Sequence, residues 1–128
     1  MRITLSALLL TLTLAGCASG ASSSGGGDPS RISAEQLREL DSEGLNALQV
    51  VQRLKPQWLR TRGTATFGGG GAEVFARLVV DGVPFGESGD LRSLDATDIE
   101  DIAYLSAGDA TTRFGTGYVG GAILVRTR

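Results

Sequence analysis

Four carboxylates crowd one short run of the chain: Asp95, Asp98, Glu100 and Asp101. Grouped acids suggest a divalent cation, since calcium takes about six to eight oxygen ligands. Their spacing argues otherwise. A calcium loop sets Asp or Asn at alternate positions around a central Gly, and this run has neither feature. Capping of turns and solvation of a surface account for the same residues, and that reading is preferred. Nucleophilic chemistry fares no better. Ser106, Thr111 and Thr112 lie close together, but a hydroxyl attacks only when a base takes its proton. The chain has no His, and no Lys stands near these hydroxyls. The missing His also removes the commonest metal ligand of zinc sites. Gly68 to Gly71 suggests a phosphate cradle, yet no Lys-Ser/Thr follows and no strand-to-helix switch flanks it. The residues therefore predict a protein that is not an enzyme, with no catalytic, cofactor-binding or metal-ligating residue and no cofactor.

A chain of 128 residues holds at most one domain. Twelve basic residues against 14 acidic ones give a net charge of −2, which removes the electrostatic case for nucleic acid. With 19 Gly and only 5% aromatic residues, the folded part is expected to be small and modestly packed. The single Cys excludes an intrachain disulfide.

That Cys closes a targeting segment. Arg2 is the positive start, Leu5 to Leu14 the apolar region, and Leu14-Ala15-Gly16-Cys17 the small-residue end. The run is too short for a membrane span, which needs about 20 apolar residues. Leu-Ala-Gly-Cys closely resembles the bacterial lipobox. The resemblance implies that residues 1–16 are a lipoprotein signal peptide cut after Gly16. It also implies that Cys17 is diacylated on sulfur and acylated on its new amine. Each buried CH₂ of such chains contributes about 0.8 kcal/mol, so several chains make a stable anchor. Ala18 after the Cys resembles lipoproteins sorted to the outer membrane. Residues 17–30 are then the lipidated Cys and a Gly/Ser tether, ASGASSSGGGDPS, whose composition predicts flexibility.

The elements of the folded part, residues 31–128, follow from periodicity. Ser33-x-x-Gln36 is a capping-box pattern opening a helical stretch to Leu54, interrupted at Asp41-Ser42-Glu43-Gly44. Asp41 or Ser42 is expected to cap the second helix, on which Leu45, Leu48 and Val51 form an apolar stripe widened by Ala47, Val50 and Leu54. Pro56 stops it. Arg53, Lys55, Arg60 and Arg62 then surround Trp58, the only Trp. One reading is a loop for anionic lipid or a partner; the preferred one buries Trp58 between helix and sheet, with Arg stems over its rim.

Val74 to Val80 reads as a strand with Val74, Ala76, Leu78 and Val80 on one face. Asp81-Gly82 turns it, and Val83-Pro84-Phe85 returns along an edge, where the missing N–H of Pro84 is tolerated. Asp95 caps a turn over Ala96–Asp98, a strand runs from about Ile99 to Ser106, and Gly108-Asp109 opens a short helix over Ala110–Phe114. Gly115 ends that helix, and Ala122–Thr127 is the last strand. The class predicted is α+β: a small mixed sheet of three to four strands with helices packed on one side.

From Asp81-Gly82 through Asp98-Ile99-Glu100, Ile102, Leu105, Ala110, Phe114-Gly115 and Gly121 to Thr127, this pattern resembles the second half of the plug domain of TonB-dependent outer-membrane receptors. The match runs without a gap from Asp98 to Arg128, and the preceding helix extends it weakly to Ser33. It implies a plug-domain-like fold. The strands of a barrel take about 10 residues each, so plug and barrel together do not fit these residues, and transport by the chain alone is not expected. The expected role is an outer-membrane-anchored, periplasm-facing lipoprotein acting in binding or envelope assembly. Its partners are then the membrane, through the anchor at Cys17, and an outer-membrane barrel or other envelope protein. The alternatives are a detached plug or accessory of a transport system with a separate barrel, and a small-ligand-binding domain using the Gly-rich loops.

Overall fold

The computed structural model describes residues 28–62, 64–65 and 72–128. It opens with strand β1 (Arg31–Ile32), helices α1 (Ala34–Glu39) and α2 (Ala47–Leu54), and a 3-10 turn at Pro56–Leu59. A small ladder comes next, β2 (Thr64–Ala65) with β3 (Ala72–Glu73), and then β4 (Arg77–Val80) and β5 (Val83–Glu87). Two 3-10 turns, Ser88–Ser93 and Ala96–Asp98, lead to β6 (Ile99–Leu105), α3 (Ala107–Phe114) and β7 (Ala122–Thr127).

Five strands form one mixed sheet in the order β1-β6-β7-β4-β5. The class is α+β, as the sequence predicts. The sheet exceeds three to four strands because Arg31–Ile32, to which the sequence pattern assigns no element, pairs with Ala103 and Ile102 at one edge. β7 lies in the middle, parallel to β4 and antiparallel to β6. Its residues explain that place. Ile123 and Val125 are buried on one face and Ala122 on the other, and a strand covered on both faces needs apolar side chains at successive positions. At the far edge, Asp81 (φ 50°) and Gly82 (φ 83°) turn β4 into β5, with Val80 opposite Val83. Positive φ at both central residues is what a two-residue hairpin turn with the strands' own twist requires.

The helices cover two faces, not one. α1, α2 and the 3-10 turns bury Leu37, Val50, Val51 and Leu91 against Ile32, Leu78, Ile102 and Ile123. α3 lies on the opposite face, where Ala110 and Tyr118 are buried with Val79 and Ala122. The period of two divides β4, β6 and β7 between these cores, so an apolar residue on the second face also needed a cover.

Two caps differ from expectation. Asn46 caps α2, accepting from the Gln49 amide at 2.9 Å while the Gln49 side chain accepts from Asn46 N–H at 3.1 Å. This reciprocal pair satisfies two orphan donors, which neither Asp41 nor Ser42 could reach from four or more residues upstream. Ser106 caps α3, so that helix begins at Ala107 rather than beyond Gly108-Asp109. On α2 the inner positions are Ala47, Val50 and Val51, whereas Leu48 and Leu54 are only partly buried, as is Leu45, which falls before the helix. Val51→Ala is therefore expected to destabilise the domain by about 2 kcal/mol, and Leu48→Ala by about half as much. Urea unfolding of the two variants tests this; a larger loss at Leu48 would reverse the assignment of the inner face.

Candidate functional site

α3 is too short to cover its face of the sheet. Eight residues of helix reach about 12 Å, whereas the seven residues of β6 run about 23 Å. The covered end holds Leu105, Ala122 and Val79 under Ala110 and Phe114. Towards the other end, a cleft of about 500 Å³ remains open beside Phe114. Ala103 of β6 and Leu124 of β7 line it, directly paired in the antiparallel ladder. Asp81, Asp101, Arg113 and Arg126 supply its charged lining.

Two of those charges, Asp101 and Arg126, hold each other. The Asp101 side chain, only 10% exposed, lies between two guanidinium groups. Arg126 reaches its Oδ1 through Nη2 and Nε, both at 2.6 Å, and Arg31 reaches Oδ2 at 3.1 Å. Glu100 Oε2 stands 3.2 Å from the same Arg126 Nε. A carboxylate this buried would be costly without partners, and here one cation comes from each neighbouring strand. The hydrogen bond to Asp101, reinforced by the charges of Asp101 and Glu100, raises the Arg126 pKa further above its ordinary value.

Asp81 is fixed as firmly. Thr127 donates its N–H to Asp81 Oδ1 at 2.9 Å and its hydroxyl to Oδ2 at 2.6 Å. These two bonds hold the Asp81 carboxyl below the usual range. The turn dipeptide thus has a second task, tying the β4–β5 hairpin to the end of β7. Arg113 differs from the other lining cations. Its guanidinium lies 5.4 Å from the Phe114 ring centroid, and among the described residues it makes no ion pair. The cleft therefore combines an apolar floor, one uncommitted cation and acids already spoken for. It can bury an apolar group and meet a negative charge.

A second groove of about 420 Å³ is lined by residues of α2 and of the 3-10 turn Ser88–Ser93, with Leu48, Leu59 and Phe75 on its walls. Its buried polar residue, Ser88, donates its backbone N–H to Ala76 O at 2.9 Å.

The acids singled out by the sequence separate. Asp95 caps its turn as expected, accepting from Thr97 N–H at 2.9 Å and from its hydroxyl at 2.7 Å, which lowers its pKa. Glu100 and Asp101 join the arginine network instead. No group of three or more His, Cys, Asp or Glu is placed to hold a metal among the described residues. Ser106 donates to Asp109 Oδ2 at 2.6 Å, and Thr112 donates to the Gly108 carbonyl at 2.9 Å. Trp58 is buried, 3% exposed, as preferred, and stacks on Tyr104 with centroids 5.8 Å apart. The arginine beside it, Arg62, lies over the Tyr104 ring at 5.0 Å. Cys17, residues 1–16, the tether up to Gly27 and Gly68 to Gly71 lie outside the described residues. Among the described residues, no helix is long and apolar enough to cross a membrane.

Sequence reasoning missed the cleft. Arg126 at the end of an apolar strand and Arg113 one residue before Phe114 were visible, but their meeting across α3 and β7 depends on the sheet order. Comparison with known protein families, characterised proteins and solved structures finds no match.

Proposed function

We propose that this chain is a periplasm-facing lipoprotein of the outer membrane, anchored through Cys17, whose folded module binds another envelope protein and does not catalyse a reaction. The observation that carries the binding role is the half-covered α3 face. Ala103 and Leu124 form an apolar floor there beside the uncommitted Arg113, a surface suited to an apolar side chain next to an acid. Two of the three hydroxyls weighed as nucleophiles, Ser106 and Thr112, donate locally to Asp109 and to the Gly108 carbonyl, which supports a role without catalysis. The anchoring rests on Leu14-Ala15-Gly16-Cys17 and its apolar lead. The likeness to receptor plugs makes an outer-membrane barrel one member of the partner class.

Site-specific photo-cross-linking in intact cells tests the binding role. A photoreactive phenylalanine analogue at Phe114, which lines the cleft and leaves Arg113 in place, is expected to give a discrete protein adduct. The same analogue at Glu39, exposed at the end of α1, is expected to give none. Absence of an adduct at the cleft, or the same adducts from both positions, would contradict it.

A further inference from the structure

We propose that the end of the domain carrying Arg53, Lys55, Arg60 and Arg62 is a docking surface for anionic phospholipid headgroups, and that it seats the module flat on the membrane holding its anchor. The inference rests on the anchoring at Cys17. The chain as a whole carries −2, yet no acidic residue stands between Glu43 and Glu73, and these four cations all fall in that interval. Arg53, Arg60 and Arg62 are exposed, and none of the four is in an ion pair among the described residues. The α2 terminus and the 3-10 turn gather them. Arg53 occupies the last turn of α2, Lys55 closes it, and Arg60 succeeds Pro56–Leu59.

The chain enters the fold at this same end. Lys55 Nζ lies 3.5 Å from the carbonyl oxygen of Asp28, and Ser30 accepts the backbone N–H of Tyr104, the ring between Trp58 and Arg62. From Cys17 to Asp28 even a fully extended chain spans at most about 40 Å. That bound applies to the entry end, while the far side of the domain lies farther off by the domain's own width, so the entry end is the one kept nearest the headgroups. The counter-charges at the entry are few. Asp28 is bonded to Ser30 N–H at 2.9 Å and to its hydroxyl at 2.6 Å, and Glu73 sits across the β2–β3 ladder. Trp58 is buried beneath the cations, so it does not wedge into lipid, and the attraction is electrostatic. Such contacts are expected to strengthen with anionic lipid and to vanish when salt screens them.

The single Trp supplies the probe, because Trp58 lies inside the charged segment. Full-length protein purified from membranes is reconstituted into phosphatidylcholine vesicles, with and without phosphatidylglycerol, carrying a dansyl-labelled phospholipid. Energy transfer from Trp58 is expected to rise with phosphatidylglycerol and to fall back at about 1 M salt, where the screening length is about 3 Å. Changing Arg53→Gln, Lys55→Gln and Arg60→Gln together spares Arg62, which packs on Tyr104. Each cation removed should weaken docking about fivefold, so the triple variant should transfer at the neutral-vesicle level. Transfer equal in the two vesicle types, in protein that floats with both, would overturn the docking surface and leave the anchor standing. Protein that floats only with anionic vesicles would instead overturn the anchor and leave the cationic surface.

Discussion

Deleting Gly121–Arg128 is expected to abolish cooperative folding of the domain. The deletion removes β7, and β7 is the strand between β6 and β4. Ile123 and Val125 are almost completely buried, and each such side chain contributes roughly 1.5–3 kcal/mol. β4 and β6 would also face each other across a missing ladder, with buried backbone groups left unpaired at about 1–3 kcal/mol apiece. Asp101 would lose Arg126, and Asp81 would lose both of its Thr127 bonds. Against a total stability of about 5–15 kcal/mol, those losses exceed what the remaining contacts can hold. Limited proteolysis and thermal unfolding of the chain with and without these eight residues read the effect. Equal protection and an unchanged midpoint would mean that residues 121–128 are a tail outside the fold.

Adding a single methyl at Gly120 or Gly121 is expected to have the next largest effect. A Cβ on Gly120 would overlap the carbonyl oxygen of Phe75, a backbone atom that cannot swing aside. At Gly121 it would overlap the Tyr104 hydroxyl and the carbonyl oxygen of Leu105, and the residue sits at φ +86° besides. Left-handed strain and overpacking together should cost about 2–5 kcal/mol for Gly121→Ala, and overpacking against rigid backbone about 3 kcal/mol for Gly120→Ala. Gly44→Ala is the control. Its φ of +75° carries the conformational cost alone, since no atom lies within 4 Å of the added carbon, and about 1–2 kcal/mol is expected. If all three variants melt together, the close approach of Gly120–Gly121 to its neighbours is not what β7 needs.

The order and type of the main elements were legible because their signals are local. The apolar run in Ala122–Thr127, the Asp81-Gly82 turn and the Asp95 cap each depend on residues within a few positions. Asn46-x-x-Gln49 was just as local, but the earlier Asp-Ser-Glu-Gly break drew the cap upstream. Features that depend on strand pairing could not be read. β1 is two residues long and is a strand only because β6 offers it an edge. α3 lies on the second face, where Ala110 packs on Val79 and Ala122, and the cleft is the part of that face its length leaves bare. Arg31 and Arg126 meet Asp101 through the same neighbour relations. Leu48, counted with the inner stripe, lies at the margin because α2 turns Ala47, Val50 and Val51 toward the sheet.

The mass of the mature protein's N-terminal peptide, taken from isolated envelopes, tests the central claim most directly. A lipid-anchored binding module predicts a peptide beginning at Cys17, with a diacylglyceryl group on sulfur and an acyl chain on the amine. In the Cys17→Ser variant that peptide should be absent and residues 1–16 retained. A wild-type chain still carrying residues 1–16, or cut there with an unmodified Cys17, would contradict the account.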